Sequence, residues 1–369
     1  MKISSRIITK DRTPILFGTD SLTAIDRLAG RLNPRGIFIL TDRNTKKHCL
    51  PLICEKSASV VKAEIIETEA GEAAKSLENA GKIWNELLSF GANRQSLLIN
   101  LGGGVISDLG GFVAAGYKRG IKYINIPTSL MGMADAAIGG KTAVNLGKLK
   151  NQVGFFHAAA GIIISPEFLK TLPEPHLRSG FAEIIKSTLI SDPALWRRLQ
   201  RHSFDSMVNL PFDSSVWLEV LQAAIVCKNK IVVSDYRERN RRKVLNFGHT
   251  LGHAFESLSL GGAGSPVLHG DAVAAGMICA AFLSNRKVGL TEADMRIITS
   301  YIYQSYGHLP IQSVAGPDLM QVLRHDKKMC DNKLMFTMIK KPGFPVINIS
   351  CDENEVSESL EYYNSLTRM

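Results

Sequence analysis

The stretch SLLINLGGGVISDLGGFVAAGY, Ser96 to Tyr117, decides the fold. Leu97, Leu98, Ile99 and Leu101 make a short apolar run of the kind that lies in a parallel sheet covered on both faces. Gly102, Gly103 and Gly104 follow, and the segment from Asp108 to Tyr117 then has helical spacing. Strand, glycine turn and helix together form the first half of a βαβ unit. Residues without side chains at such a turn let backbone amides approach a pyrophosphate at the helix N-terminus, where the dipole favours an anion. The pattern is not G-x-G-x-x-G, and a tight strand-to-helix turn accounts equally for the three glycines.

Outward from this stretch the alternation continues. GIFILTD and IKYINIPT read as strands, and AAKSLENAGKIWNELLSF reads as a helix between them. The LTDRNT segment places Asp42 after a core strand, where a carboxylate can receive a ribose hydroxyl or cap a helix. Beyond LKTLPEP, whose two prolines mark a turn, long helical patterns take over: RSGFAEIIKSTLI, SSVWLEVLQAAIVCKNKIVV, VLNFGHTLGHAFESL and HGDAVAAGMICAAFLSNRK. The fold class expected is α/β plus α, a Rossmann-like domain over 1–165 and a mainly helical domain over 166–369. A last strand, KLMFTMIK, is expected to close the ordered part of the chain.

Composition narrows the function. The 369 residues are 45% hydrophobic and 21% charged, ordinary for a globular protein and against disorder. No apolar run approaches the roughly 20 residues that span a bilayer, and the N-terminus has no signal-like stretch, so no membrane association and a cytoplasmic protein are expected. The six cysteines, Cys49, Cys54, Cys227, Cys279, Cys330 and Cys351, contain no C-x-x-C pair and suggest neither a disulfide framework nor a thiolate metal site. A formal charge of +10 admits nucleic acid or a small anionic substrate. Only YRERNRRK, Tyr236 to Lys243, is densely basic, it contains Glu238, and no basic stripe interleaved with aromatics stands out, so the expectation is no nucleic acid.

NFGHTLGHAFE, Asn246 to Glu256, sets His249 and His253 four residues apart, each after a glycine. On a helix they share a face, which is metal-ligand spacing, although a hydrogen-bonded core pair has the same spacing. The zinc-protease pattern H-E-x-x-H fails because Thr250 stands at the glutamate position. Arg242, Asn246, His249 and His253 fall at i, i+4, i+7 and i+11, a polar stripe beside the packing residues Val244, Leu245, Leu251 and Phe255. A second donor-rich segment, IPTSLMGMADAAIGGKTAVNLGKLKNQVG, gathers Asp135, Lys141, Asn145, Lys148, Lys150 and Asn151 among glycines, suited to phosphate and hydroxyl groups.

These motifs in this order, from LTDRN through GGGVISDLGGFVAAGYKRG, IPTSL, GGKTAVN, LKTLP, SGFAEIIK, VCKNKIVVSDYRE, LNFGHT, LHGDAVAAGM and HDKK, resemble the 3-dehydroquinate synthases of the sugar phosphate cyclase superfamily. The resemblance implies an NAD-binding domain, and a divalent metal, zinc or else cobalt, in a cleft between it and the helical domain. It implies a small anionic sugar phosphate substrate, 3-deoxy-D-arabino-heptulosonate 7-phosphate, and a homodimer. The reaction implied is transient oxidation by NAD, phosphate elimination, re-reduction and intramolecular aldol closure.

Residue by residue, the resemblance puts the metal on Glu183, His249 and His269. It makes His253 a substrate-side group and not a ligand, against the inference from spacing. The substrate falls to Asp135, Lys141, Asn151, Lys186, Lys228, Arg242 and Asn246, and its phosphate to Arg119 and Lys150. Matching nucleotide positions are Asp42, Asn44, Glu72, Lys75, Gly103, Gly104, Val105, Asp108, Thr128, Ser129, Phe168 and Thr171, with Lys141 and Lys150 beside them. Three positions depart from the common family pattern: Ser165 for Asp, Asp271 for Glu, and Thr128-Ser129 for Thr-Thr. Carboxylate-free cyclases and glycerol-type dehydrogenases are the alternatives.

Overall fold

The computed structural model describes residues 6–9, 13–147, 149–259, 267–309, 317–325, 329–330 and 333–368. Lys148, Lys327 and Lys328 lie outside them. The chain divides into two units, 1–173 with 212–229 and 174–211 with 230–369. This differs from the expected division at 165. The chain returns to the first unit with residues 212–229, which include most of the helix Ser215–Ser234, so the units are not consecutive pieces of sequence.

In the first unit, β5 (Leu97–Gly102) is buried at every residue, as an apolar run covered on both faces must be. Its partners are β3 (Ile37–Asp42) on one side and β6 (Lys122–Pro127) on the other, both parallel. The sheet continues through β4 (Glu64–Thr68) beyond β3, and through β9 (Gly161–Ile164), β2 (Ile15–Phe17) and β1 (Arg6–Thr9) beyond β6. Only the β1–β2 pair is antiparallel. The chain steps from β3 outward to β4, then back to the opposite side of β3 for β5. That reversal opens a crevice at the carboxyl ends of β3 and β5, the place where open α/β sheets bind ligands. Thr41 pairs with Leu101, so Asp42 and the glycine turn stand beside each other there. β7 (Lys141–Leu146) and β8 (Leu149–Phe156) form a separate antiparallel hairpin.

In the second unit the helix His269–Val288 is the core: every residue from Ala272 to Ser284 is buried. The helices Glu174–Ser191, His249–Ser259, Glu292–Tyr306 and Glu353–Ser365 pack around it. A three-stranded antiparallel sheet, β10 (Met329–Cys330), β11 (Lys333–Ile339) and β12 (Pro345–Cys351), accompanies them.

Two expectations are corrected. KLMFTMIK is β11, but it does not close the ordered chain. β12 follows, and then a helix whose start is fixed by a reciprocal capping box between Asp352 and Glu355. VLNFGHTLGHAFESL is not one helix either, and the polar stripe from Arg242 to His253 runs across the break. Arg241–Asn246 is a 3-10 turn, and the α-helix begins at His249.

The break is made by Gly248, whose φ of +78° lies in the left-handed region. A Cβ there would meet the backbone of the core helix, 2.9 Å from both Met277 N and Val273 O. Opposite it, a Cβ on Gly276 would stand 2.1 Å from Gly248 O and 2.8 Å from Gly252 N. Glycine at these positions lets the two helices touch backbone to backbone. Gly276→Ala is therefore expected to cost about 3 kcal/mol, the upper end for overpacking, because the neighbours are main chain and cannot rotate aside. Gly30→Ala is expected to be neutral or to stabilise by up to about 1 kcal/mol, since that helical position has open space around it. Thermal denaturation of the two variants against the parent checks both.

Candidate active site

The second unit brings three imidazoles and a carboxylate together. His249, His253 and His269 each offer a nitrogen within 4.8 Å of the others. Glu183, 1% exposed on the helix Glu174–Ser191, points Oε1 at His249 Nε2 (3.4 Å) and His269 Nε2 (3.7 Å). Those distances are beyond a good N–H···O bond, so Glu183 Oε1 is buried without a hydrogen-bond partner. Lys186, three residues on and equally buried, forms an ion pair with Oε2. The two histidines nearest Glu183 have their other nitrogen engaged. His249 Nδ1 donates to Phe247 O (3.1 Å), and His269 Nδ1 to Glu256 Oε2 (3.0 Å). When the rings are neutral, this makes Nε2 the lone-pair nitrogen facing Glu183 in each.

A buried carboxylate with an unsatisfied oxygen, opposite two imidazole Nε2 atoms, is a donor set for a divalent cation. The electrostatics agree. Burial, reinforced by the Lys186 charge, pushes the His249 imidazole down to about 4. Burial works against the charge on His269 as well, but Glu183 and Glu256 outweigh it and raise that imidazole to about 10, so the two carboxylates hold a proton on the ring that a bound cation would replace. Burial would raise Glu183 too, yet Lys186 and then His249 hold it well below the usual carboxylate range. The cluster thus attracts positive charge to the space between Glu183 and the two Nε2 atoms.

The segment before His249 owes its shape to Asp235, whose carboxylate accepts from the amides of Arg239 (3.0 Å), Asn240 (2.7 Å) and Arg242 (3.0 Å). This folds the basic run YRERNRRK into a tight loop. Arg242 is 2% exposed and donates through one guanidinium nitrogen to Tyr236 O (2.7 Å). Asn246 donates to Glu238 Oε1 (3.4 Å). Asp235, Glu238 and Glu256 are site residues that spacing did not reveal. Glu256 alone had a signal, since it continues the His249–His253 face at i+7.

The first unit holds the other constellation. Its helix Gly104–Gly116 opens at Gly103 with no side-chain cap, and the Thr128-Ser129 turn lies against it, with Thr128 N donating to Gly102 O (3.0 Å). A Cβ on Gly103 would sit 3.1 Å from Ser129 Oγ, so the cradle of Gly103, Gly104 and Val105 is built from backbone. Asp42 caps the helix Arg43–His48, accepting from Asn44 N (2.8 Å) and Thr45 N (3.0 Å). Ser165 caps the turn Pro166–Thr171, which carries Phe168 and Thr171. A serine there does the capping an aspartate would do, which explains how that departure is tolerated.

Around the glycine helix the polar residues are tied to one another. Lys75 pairs with Asp108 (2.6 Å), and Glu72 accepts from Asn145 Nδ2 (2.9 Å). Asn145 also accepts from Asn151 N (2.9 Å) and donates its own amide to Lys75 O (2.8 Å). Asn151, at φ +56°, is held in the left-handed region by that contact. Asp135, on the short π-turn Gly132–Ala136, pairs with Lys228 (2.6 Å). Lys141 and Lys150 lie on the hairpin, and the exposed Arg119 closes a turn in which Lys118, Arg119 and Gly120 all have positive φ.

Family models place this architecture. The 3-dehydroquinate synthase N-terminal model matches residues 65–179, and the C-terminal model matches 180–329. The chain belongs to the 3-dehydroquinate synthase family. It is 41% identical over 327 residues to the 3-dehydroquinate synthase of Parabacteroides distasonis, covering 89% of this chain and 91% of that one. It is 38% identical over 357 residues to that of Dehalococcoides mccartyi, covering 94% and 95%. Among solved structures it resembles a 2-epi-5-epi-valiolone synthase from Streptomyces hygroscopicus determined with NAD+ and Zn2+, with TM-score 0.84, 28% identity, and 99% and 100% of the two chains covered. A 2-deoxy-scyllo-inosose synthase shares the fold at 23% identity, with TM-score 0.82 and 97% and 100% covered.

The Lys75–Asp108 pair gives a stability test. Burial raises the Asp108 carboxyl and Lys75 opposes it, so Lys75→Met leaves a buried carboxylate uncompensated at neutral pH. The expected loss is about 3 kcal/mol, the lower end for breaking a buried pair because Asp108 keeps some solvent contact. With its folded-state value raised, Asp108 is least costly below the usual 3.8 and most costly above its folded value. The gap between variant and parent, read by denaturant melts, should therefore widen from acid to neutral pH.

Proposed function

We propose that this protein is a 3-dehydroquinate synthase, converting 3-deoxy-D-arabino-heptulosonate 7-phosphate to 3-dehydroquinate and phosphate with NAD and a divalent metal, zinc or cobalt. The observation that carries this reading is Glu183 with His249 and His269, a buried carboxylate facing two lone-pair nitrogens in a chain of this family. One carboxylate and two imidazoles suit zinc and leave coordination positions for substrate hydroxyls. When bound, the metal supplies Lewis acidity, and NAD supplies a hydride acceptor that returns what it takes.

The residues divide the remaining work. Gly103, Gly104 and Val105 offer backbone amides to the pyrophosphate, and Asp108, Thr128, Ser129, Phe168 and Thr171 surround the nucleotide. Asp42 receives a ribose hydroxyl with the carboxylate oxygen not used as the cap, and Asn44, Glu72 and Lys75 complete that side. Arg242 holds the substrate carboxylate through its planar guanidinium fork. Asn246, Asn151, Lys141, Lys186, Asp135 and Lys228 orient hydroxyls, and Arg119 and Lys150 take the phosphate. His253, beside the ligands but outside the set, moves a proton near the leaving phosphate.

A carboxylate-free cyclase is the second reading, favoured by the likeness to the valiolone synthase. Purified enzyme with NAD and Zn2+ is expected to release phosphate from the heptulosonate with no stoichiometric NADH. It should act at least ~30-fold less well on a sugar phosphate lacking the carboxylate, about 2 kcal/mol for one charged contact. The reverse preference would establish the second reading, and one NADH per turnover would make the protein a dehydrogenase.

The ligand set is tested by metal analysis of three variants. His249→Ala and His269→Ala should each be purified without metal. His253→Ala should keep one metal per chain and lose on the order of 10²-fold in kcat. A metal-free but folded His253→Ala would make all three histidines ligands.

We also place the enzyme in the cytoplasm, as a homodimer. The described cysteines are free thiols, which supports a reducing compartment, and Leu146, Leu149, Phe155 and Phe156 expose apolar surface on the hairpin, which supports a partner there. Among the described residues no helix is long and apolar enough to cross a membrane.

A further inference from the structure

Glu256 is a carboxylate 5% exposed, on the helix His249–Ser259. Burying an ionised carboxylate costs several kcal/mol unless partners compensate it. Glu256 Oε2 stands 3.0 Å from His269 Nδ1, across from the helix that carries His269. His269 is itself 30% exposed at the side chain and begins its helix, so neither deep burial nor a preceding turn of that helix immobilises the ring. His249 differs: its Nδ1 is fixed by a main-chain carbonyl two residues away, Phe247 O. Each ring is thus held through Nδ1, one by its own backbone and the other by a side chain from another helix.

We propose that Glu256 is the positioning residue for His269. Its carboxylate accepts the Nδ1 proton, fixes the tautomer that presents the Nε2 lone pair toward Glu183, and makes that nitrogen a stronger donor to a divalent cation. Placement supports this assignment. His249, His253 and Glu256 lie at i, i+4 and i+7, so one helix face supplies a ligand, a neighbouring imidazole and the group that orients the second ligand. Gly248 and Gly252 bring this face against the helix of His269, which closes the distance between them. The inference rests on the ligand set proposed above.

The test measures metal, not turnover. Zn2+ and Co2+ affinities of Glu256→Gln and Glu256→Ala are determined by chelator competition, with the visible spectrum of the Co2+ form recorded at saturation. Thermal melts of the metal-free proteins report the fold. Glutamine keeps an oxygen that can accept from Nδ1 but loses the charge, whereas alanine loses both. Glu256→Gln is expected to bind about 10-fold more weakly and Glu256→Ala toward about 100-fold, the range for second-sphere partners of metal-bound histidines. The Co2+ spectrum should be altered more in the alanine variant.

In a double-mutant cycle, Glu256→Gln added to His269→Ala should weaken binding no further than His269→Ala alone, because the orienting group then has nothing to orient. Parental affinity and spectrum in both Glu256 variants, with His269→Ala stripped of metal, would overturn the positioning role and leave the ligand set standing. Full metal retention by His269→Ala would instead overturn the ligand set. Additive losses in the cycle would show that Glu256 acts only through general stability. Should the alanine variant fail to fold, the near-isosteric glutamine variant and the cycle decide.

Discussion

Main-chain contact between two helices is the constraint on which the metal-side cluster depends. Gly248 and Gly252 on one side and Gly276 on the other lie so close that a single methyl at Gly276 would overlap the Gly248 carbonyl. Side chains between the helices would hold them several ångströms further apart, since ordinary helix packing separates axes by about 8–10 Å. His249 and His253 come from one helix and His269 from the other. Their ring centroids lie 5.2 to 5.6 Å apart. The glycine that permits this approach also has the positive φ that starts the histidine helix afresh at His249.

Charge in the second unit is arranged to be incomplete. Glu183 has Lys186 on one oxygen, but its other oxygen has no hydrogen bond, and His269 is drawn toward two carboxylates. A structural ion pair of this burial would be fully satisfied, because unsatisfied polar groups in low dielectric are costly. The residual deficit is the stability that the fold gives up to keep a cation-binding geometry assembled. Asp235 illustrates the opposite case: its carboxylate is satisfied by three amides, which shape the loop that carries Arg242.

The first unit solves a different problem, that of holding a hairpin against a glycine-rich helix. Asn145 does it with three hydrogen bonds, reaching Glu72, Lys75 and Asn151. Two residues assigned to the nucleotide side and one assigned to the substrate thereby share a single partner residue, through its side-chain amide and its backbone N–H. Asn151 keeps a left-handed backbone that a non-glycine residue avoids without such support.

Strand-glycine-helix alternation from β3 to β6, the long apolar helices, and the shared face of His249 and His253 were legible in the sequence, whereas Glu183 and His269 came from the family resemblance. The first three depend on local periodicity or on residue chemistry, which neighbours along the chain already express. The break at Phe247-Gly248 was not legible, because VLNFGHTLGHA has helical spacing throughout and only the approach of Val273, Gly276 and Met277 makes the interruption necessary. β12 and the last helix were missed because β11 was read as the end of the ordered chain, although PVINISC and the D-x-x-E capping box were present. Residues 212–229 belong with the first unit for a reason no local pattern carries, since a helix reads the same whichever body it packs against. Glu256, Asn145 and Asp235 are ordinary polar residues in the sequence. Contacts across 13, 73 and 7 positions of chain made them organisers of the site. Spacing tells which side chains share a face, and only tertiary structure decides what that face meets.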